Sequence, residues 1–226
     1  MSMRFKTTIN KSLLLISCII TAGCVPMPGG GGCDYDTIPT YAVVKDIEDD
    51  LVTLELSTQL MPPFERGSTT NIYKEKLPPV HLGELLPAHI SLITTGSCTP
   101  SSYSLNTSDY FAIKQTVISF SDPDEGWLAP DADKKIESVA KHFLQIKKEY
   151  PQAILKLYGH AQPGQGDDYT FALLLHYGNS VKNRLMDEGV DQESMLVLPF
   201  DDETKMDFTK ALPENRVTFS VELNYI

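Results

Sequence analysis

The sequence contains few of the residues on which catalytic and metal-binding motifs depend. Four cysteines and five histidines occur among 226 residues, and no two cysteines stand at the CxxC spacing. No cluster of cysteine and histidine has the spacing of a zinc site. A nucleophile elbow and a phosphate-binding glycine loop are also absent. These absences predict a protein that is not an enzyme and that needs no cofactor or metal.

Two local groups of polar residues could carry chemistry, and each has a simpler interpretation. Asp122, Asp124 and Glu125 lie close together. Such carboxylates serve acid–base chemistry or calcium binding, but an exposed acidic turn is the favoured alternative. The segment 81–89 (HLGELLPAH) holds two histidines and a glutamate. It does not match HExxH, and Pro87 would break the helix which that motif needs, so we predict a surface loop.

Basic residues are scarce relative to acidic ones. The chain has 30 Asp and Glu against 19 Lys and Arg, a net charge of −11. The first 23 residues carry three basic residues and no acid, so the remainder has a charge of −11 − 3 = −14. An acidic surface repels both phosphate backbones and anionic headgroups. The composition therefore argues against nucleic acid as a partner and against broad adhesion to an anionic membrane.

Only one long apolar run occurs, and it lies near the N-terminus. Ser12–Thr21 (SLLLISCIIT) follows three basic residues and precedes Ala22, Gly23 and Cys24. A run of this length is too short to span a bilayer as a stable helix. A basic start, a short apolar run and small residues together indicate a secretory signal over residues 1–23.

The sequence around Cys24 resembles the lipobox of bacterial lipoproteins, in which the cysteine becomes a lipidated N-terminus. Val25 follows where an aspartate would resemble an inner-membrane retention signal. The resemblance implies lipidation of Cys24 and an outer-membrane location facing the periplasm. Several lipid chains, at about 0.8 kcal/mol per buried CH₂, would anchor the protein firmly. The alternative is an ordinary cleaved signal with an incidental cysteine.

Two cysteines remain after Cys18 leaves with the signal and Cys24 is lipidated. Cys33 and Cys98 form an even pair in an exported chain. Oxidising compartments allow disulfides, so we predict one bridge between them. Two separate free thiols are the alternative.

Composition and periodicity divide the chain into four parts: the signal 1–23, a lipidated Pro/Gly linker 24–35, a small β-rich domain 36–107 and a C-terminal domain 108–226. In the β-rich part, YAVVKDI, LVTLELS and HISLITTG are strand candidates, with a turn at Asp49-Asp50. Their alternation and the intervening prolines indicate a small barrel or sandwich.

The C-terminal part has a clearer order of elements. AIKQTVISF is a predicted strand, residues 131–150 a helix, AILKLYG a strand and residues 168–188 a second helix. We expect Phe171, Leu174, Val181 and Leu185 to face inward from that second helix. SMLVLPF and RVTFSVEL follow as strands. The order β-α-β-α-β-β predicts an α+β fold with helices on one face of a mixed sheet.

The same segments resemble the OmpA-like, or peptidoglycan-associated, domain. The similarity runs from about Gln115 to Leu223, and it rests on VISF, LKLYGHAQ, the second helix and ENRVTFSVEL. In that family an Asp and an Arg bind the ammonium and the carboxylate of diaminopimelate in the wall peptide. Here Gln162 stands in the position of the Asp and Tyr177 in that of the Arg, while Arg216 fits the closing Arg-Val pair.

The resemblance therefore implies degenerate wall-binding positions. Each lost charge-assisted bond should cost about 1.5–3 kcal/mol of affinity. If the backbone frame is kept, Gln162→Asp with Tyr177→Arg should raise binding. We expect a structural or interaction component of an envelope-spanning assembly, of secretion or conjugation type. The alternative is a peptidoglycan-binding module with a weaker or shifted site, for which the candidate groups are His160, Gln162, Asp167, Asp168, Tyr177 and Arg216.

Overall fold

The computed structural model of the chain describes residues 32–56, 69–98, 101–122, 126–161, 167–199 and 215–224. The signal 1–23, Cys24 and Gln162 lie outside these residues, as do Asp124 and Glu125. The described residues form two five-stranded sheets and three α-helices, which confirms the predicted α+β class.

The first sheet is entirely antiparallel. It comprises β1 (Asp34–Glu48), β2 (Leu51–Leu56), β3 (Thr69–Tyr73), β4 (Leu85–Thr95) and β5 (Ser101–Leu105), in the spatial order β3-β2-β1-β4-β5. A short 3₁₀ helix at Lys74–Lys76 follows β3. The predicted turn at Asp49-Asp50 is confirmed between β1 and β2. Val52, Leu54 and Leu56 alternate into the core, as the pattern of LVTLELS predicts.

The loop prediction for residues 81–89 is only partly right. β4 begins at Leu85, and Leu86 and Ala88 are fully buried within it. Pro87 lies in this strand opposite Tyr41, so the segment forms no helix, as predicted, but it is a strand rather than a loop from Leu85 onwards. The strand persists because β1 and β5 both pair with β4 and tertiary pairing overrides the local signal.

The second sheet is mixed, as predicted. It comprises β6 (Ile118–Asp122), β7 (Trp127–Leu128), β8 (Ile154–His160), β9 (Met195–Pro199) and β10 (Arg216–Glu222), in the order β7-β6-β10-β8-β9. β8 and β9 are parallel, and the other neighbours are antiparallel. The helices are α1 (Ser108–Lys114), α2 (Ala132–Glu149) and α3 (Asp167–Asp187), with a 3₁₀ helix at Gln192–Ser194.

The helices cover one face of the second sheet. From β8 and β10, alternate residues enter the core beneath them, namely Leu155, Leu157, Val217, Phe219 and Val221. Helix α2 contributes to the same core the apolar residues that recur every three or four positions along it. All five are buried: Ile136, Val139, Ala140, Phe143 and Ile146. Full burial of each large apolar side chain is worth about 1.5–3 kcal/mol.

Two local predictions in the C-terminal part are wrong. Residues 112–114 belong to α1, so the strand predicted as AIKQTVISF begins only at Ile118. Phe171 is 50 % exposed, whereas Val181 and Leu185 are buried as expected. Tyr177, Val181 and Leu185 stand four residues apart and define the inward stripe of α3. Six positions separate Phe171 from Tyr177, which places Phe171 about 120° away around the helix.

A disulfide joins Cys33 to Cys98, whose Cα atoms are 6.2 Å apart. Gly96 makes this close approach possible, because a Cβ built there would lie 2.6 Å from Cys33 Sγ and because its φ is +98°. Side chains are strongly disfavoured at that φ, so glycine is required at this turn. Within the described part of the chain, no helix combines the length and apolar character needed to cross a membrane.

Candidate functional site

Strand β8 runs between two regions in which polar side chains are concentrated. It starts at Ile154, just after the helix α2 reaches the first sheet, and it ends at His160 beside Arg216. We call the region of Glu84, Lys114 and Tyr150 the junction, and the region of His160, Tyr177 and Arg216 the distal end. A seven-residue strand spans about 20 Å, so the two regions are separate.

Helix α3 packs unusually close to the sheet at the distal end. A Cβ built on Gly159 would lie 2.1 Å from the carbonyl oxygen of Leu174. One built on Gly178 would lie 2.3 Å from Val197 Cγ1. The contact at Gly159 requires glycine, because the helix backbone cannot move away from the strand backbone without opening the packing. At Gly178, a Cβ would have to displace the Val197 side chain. The two glycines therefore hold α3 against β8 and β9. They also fix the orientation of Tyr177, which lies between Leu174 and Gly178 on the helix.

That orientation places Tyr177 in the core. Its side chain is 0 % exposed, and its ring stacks on Phe120 with centroids 4.2 Å apart and planes 24° apart. Offset stacking of this kind adds about 0.5–1.5 kcal/mol to the burial itself. The position that the family resemblance assigns to a ligand-binding arginine is thus occupied by a packed aromatic ring that is closed off from solvent.

His160 of β8 and Arg216 of β10 are cross-strand partners at the distal end. The imidazole Nε2 of His160 lies 2.8 Å from Thr218 Oγ1, and the residue is 7 % exposed. Burial, and then the positive charge of Arg216, lowers the pKa of His160 to about 4. The imidazole is therefore neutral at neutral pH, and it acts as a hydrogen-bonding group rather than as a cation.

Arg216 keeps its charge under the same conditions. Burial lowers the pKa of its guanidinium from the usual value, but an arginine remains protonated in proteins. Arg216 is the first residue of β10, where it pairs with Ser119 of β6 on one side and with His160 of β8 on the other. A half-buried guanidinium is able to bind a carboxylate in bidentate fashion.

Aromatic side chains are exposed around the distal end. Gly126 has a φ of +69°, and a Cβ there would lie 2.2 Å from His176 Nε2, so the end of the β6–β7 connection contacts α3. The next residue, Trp127, is 65 % exposed. On the first two turns of α3, Tyr169 is 43 % exposed and Phe171 is 50 % exposed. Exposed aromatics of this kind are enriched in protein interfaces.

The junction was not predicted from the sequence. Glu84 Oε1 accepts hydrogen bonds from Lys114 Nζ at 2.6 Å and from Tyr110 Oη at 2.9 Å. The side chains of Lys114 and Glu84 are only 12 % and 10 % exposed. Burial, and then the charge of Glu84, raises the pKa of Tyr110 well above its usual value. This network links the turn before β4 to α1.

Tyr150 makes the second contact of the junction. Its hydroxyl donates to the carbonyl of Thr40 at 2.7 Å and accepts the backbone N–H of Ala88 at 3.1 Å. Thr40 and Ala88 face each other in the β1–β4 ladder, so one hydroxyl binds both central strands. The neighbouring Glu149 lies 2.8 Å from His89 Nε2. The residue after α2 thus inserts into the first sheet, where the sequence indicated only the end of a helix before Pro151.

The remaining residues considered from the sequence are placed as follows. Asp122 ends β6, and Asp167 and Asp168 are the first residues of α3. The side chains of Asp167 and Asp168, like Gln162 as a whole, lie outside the described residues. At the distal end, His160 and Arg216 lie on the face of β8 and β10 opposite to the one that meets α3, because Gly159 and Val217 face the helix and side chains alternate along a strand. Tyr177 is buried on the α3 side, so the structure does not bring it together with them.

No protein-family profile and no curated protein matches this sequence. Among solved structures, the chain is similar to OmpA-like and peptidoglycan-associated domains at low sequence identity. The peptidoglycan-associated lipoprotein from Burkholderia pseudomallei is 17 % identical, with 49 % of this chain and 93 % of that chain covered and a TM-score of 0.39. The OmpA-like domain of FopA1 from Francisella tularensis is 16 % identical, with 60 % and 73 % covered and a TM-score of 0.37. The periplasmic domain of Helicobacter pylori MotB is 16 % identical, with 47 % and 77 % covered and a TM-score of 0.37.

Proposed function

We propose that the protein is a lipid-anchored component of the outer membrane that faces the periplasm and makes structural contacts within an envelope-spanning assembly. In this proposal residues 36–107 and 108–226 are its two folded units. The second unit does not bind the wall peptide by the paired charges of the domain that it resembles. No catalytic step is part of this function.

The burial of Tyr177 carries the part of the proposal that concerns the wall peptide. A ligand-binding group has to reach the ligand, and this side chain is 0 % exposed and stacked on Phe120. Binding a zwitterion needs two opposite charges, and the position that should carry the cation is sealed within the core. The net charge of −14 outside the signal adds repulsion of the carboxylates of a wall peptide.

The exposed aromatic side chains of the distal end support a protein partner. Trp127, Tyr169 and Phe171 leave large apolar rings in water. Trp and Tyr supply much of the binding energy in protein interfaces because they bury a large area with few rotatable bonds. A photo-crosslinking residue at Trp127 should capture an envelope protein in cells. The same residue at Tyr73, which is 57 % exposed on β3, is the matched control and should not.

Co-sedimentation with purified sacculi tests the loss of wall binding. The chain without signal and lipid should stay in the supernatant, because neither Gln162 nor Tyr177 carries the needed charge. Pelleting that resists moderate salt would overturn this part of the proposal.

A second candidate function, weak wall binding, is favoured by Arg216, which stays charged at the distal end. If this function holds, some protein pellets at low salt, and Arg216→Gln removes that fraction. Arg184→Gln is the matched control, because Arg184 is an exposed cation near the other end of α3. Equal pelleting of both variants would exclude a role for Arg216.

Membrane anchoring through Cys24 is tested separately. Cys24→Ala should remove the protein from outer-membrane fractions and abolish labelling with palmitate. Cys18→Ala, which alters a cysteine inside the apolar run, is the matched control and should leave both unchanged. Unaltered fractionation of Cys24→Ala would contradict the anchor.

A further inference from the structure

The Cys33–Cys98 disulfide lies at the point where the chain enters the first sheet. Cys33 immediately precedes β1, and Cys98 stands three residues after the end of β4. The bridge therefore closes a covalent loop with a sequence separation of 65. β1, β2, β3 and β4 all lie within this loop, whereas β5 and the whole second unit lie outside it.

The bridge creates two covalent routes from the N-terminal linker to the second unit. The long route follows the chain through β1, β2, β3 and β4. The short route crosses from Cys33 to Cys98 and continues through β5 to Asn106 and α1. Tension applied to the linker follows the short route. The shorter covalent path becomes taut first, and the longer path then carries no force along its length.

We propose that the Cys33–Cys98 disulfide transmits tension between the membrane anchor and the second unit, so that β1 to β4 stay unloaded. This inference rests on the proposed anchoring at Cys24, which makes the linker the point where force enters. A protein partner bound at the distal end would supply the opposing force.

Strand β1 needs this protection because of how it is paired. Its first eight residues, Asp34 to Tyr41, pair with β4 alone, since β2 joins only at Ala42. The ladder is antiparallel and starts at Asp34 opposite Thr95. A pull on the N-terminus of β1 would open this ladder one pair at a time from its end, where strands fray most easily.

The contacts around the bridge are consistent with such a role. Thr95 Oγ1 donates to Asp34 Oδ2 at 2.7 Å, so an exposed side-chain hydrogen bond lies beside the disulfide at the same ladder end. An exposed hydrogen bond contributes only about 0.5–1.5 kcal/mol. The covalent bridge is therefore the stronger of these two links between the ends of β1 and β4.

The short route ends in the junction. β5 pairs with β4 from Ala88 to Leu92, and Asn106 Nδ2 donates to Glu149 at 3.0 Å. Asn106 also donates its backbone N–H to the carbonyl of Pro87 at 2.9 Å. Force that leaves Cys98 therefore passes along β5 to Asn106 and the end of α2, and β4 takes part only as the strand to which β5 is hydrogen-bonded.

Single-molecule pulling tests this inference on the full mature chain carrying Cys24→Ser, with handles at its N- and C-termini. Oxidised molecules should show no opening of the first sheet before the second unit unfolds. After reductant is added to the same molecules, a new first event should appear at lower force. Its extension should approach about 220 Å, because 65 residues become available at roughly 3.4 Å each. Cys33→Ser with Cys98→Ser should reproduce the reduced behaviour.

Two results would overturn the inference. The first is a low-force opening of the first sheet in oxidised molecules. The second is that, after reduction, the first unfolding event is still that of the second unit and occurs at the same force as before reduction. Two free thiols in mass spectra of the unreduced protein would remove its premise. These outcomes are independent of lipidation, because the pulled chain has no lipid, and so they are distinguishable from failure of the Cys24 fractionation test.

Discussion

At the junction, Lys114 and Glu84 are both nearly buried and bound to each other, whereas at the distal end the fully buried residue is the uncharged Tyr177. The two regions lie near opposite ends of β8, about 20 Å apart. Charge is used at the junction for an internal contact between the turn before β4 and α1. At the distal end, the buried side chain contributes ring stacking and no charge. The difference shows that the two regions are stabilised by different interactions, and it predicts different responses to substitution.

Tyr177→Arg should produce the largest effect, because it places a cation where the structure has a stacked ring. An unpaired buried charge in this site should cost more than about 4 kcal/mol of unfolding free energy. Urea denaturation measures the loss. Tyr177→Phe keeps the ring and is the matched control, with an expected loss of about 1 kcal/mol.

The same burial changes the expectation for restored wall binding. Gln162→Asp with Tyr177→Arg should destabilise the protein rather than increase co-sedimentation with sacculi. Increased pelleting by a variant that remains folded would show that the arginine reaches the surface, and it would contradict a position 177 that is closed off in the core.

Lys114→Met should have the second-largest effect, because it leaves Glu84 charged and only 10 % exposed. Breaking one partner of a buried ion pair costs about 3–5 kcal/mol. Lys45→Met is the control, since the Lys45–Glu55 pair is 49 % and 32 % exposed and such surface pairs contribute about 0–1 kcal/mol. Equal losses in urea denaturation would remove the distinction between buried and surface charge.

Tyr150→Phe should have an intermediate effect. The substitution leaves the buried backbone N–H of Ala88 without the hydroxyl that it now contacts at 3.1 Å. An unsatisfied buried donor costs about 1–3 kcal/mol. Hydrogen exchange should also speed up at Ala88 in the variant. Unchanged exchange there would show that the two central strands do not depend on Tyr150.

His160 should give no effect at neutral pH, and its contribution appears only as a dependence of stability on lower pH. Its folded pKa of about 4 lies below the usual 6.5, so the unfolded chain binds the proton more readily. Stability contributed by the neutral imidazole is therefore complete above about pH 6.5, and it is lost as the pH falls towards 4. The slope is at most about 1.4 kcal/mol per pH unit.

Urea midpoints at pH 7.5 and pH 5.0 measure this slope, and His160→Gln should flatten it. The variant keeps a hydrogen-bonding group near Thr218 but does not titrate. An equally steep slope in the variant would assign the pH dependence to other groups.

The order of the elements could be read from the sequence because it depends on local patterns. Helix α2 displays its buried face every three or four residues, and LVTLELS and RVTFSVEL alternate in the manner of half-buried strands. Local patterns misled where pairing or packing decided the result. β4 extends through Pro87 because strands bind it on both sides, and α3 turns Phe171 outward because two glycines hold it against the sheet.

The sequence alone determined the α+β class, the mixed sheet and the candidate pair of Cys33 and Cys98, since each follows from composition, periodicity or counting. Only the tertiary structure decided that Tyr177 is in the core, that Glu84 meets Lys114 thirty residues away, and that Tyr150 binds Thr40 and Ala88. The physical reason is that burial and long-range contact depend on which elements pack together. Local sequence shows which face of an element is apolar, and it carries little information about which partner will cover that face.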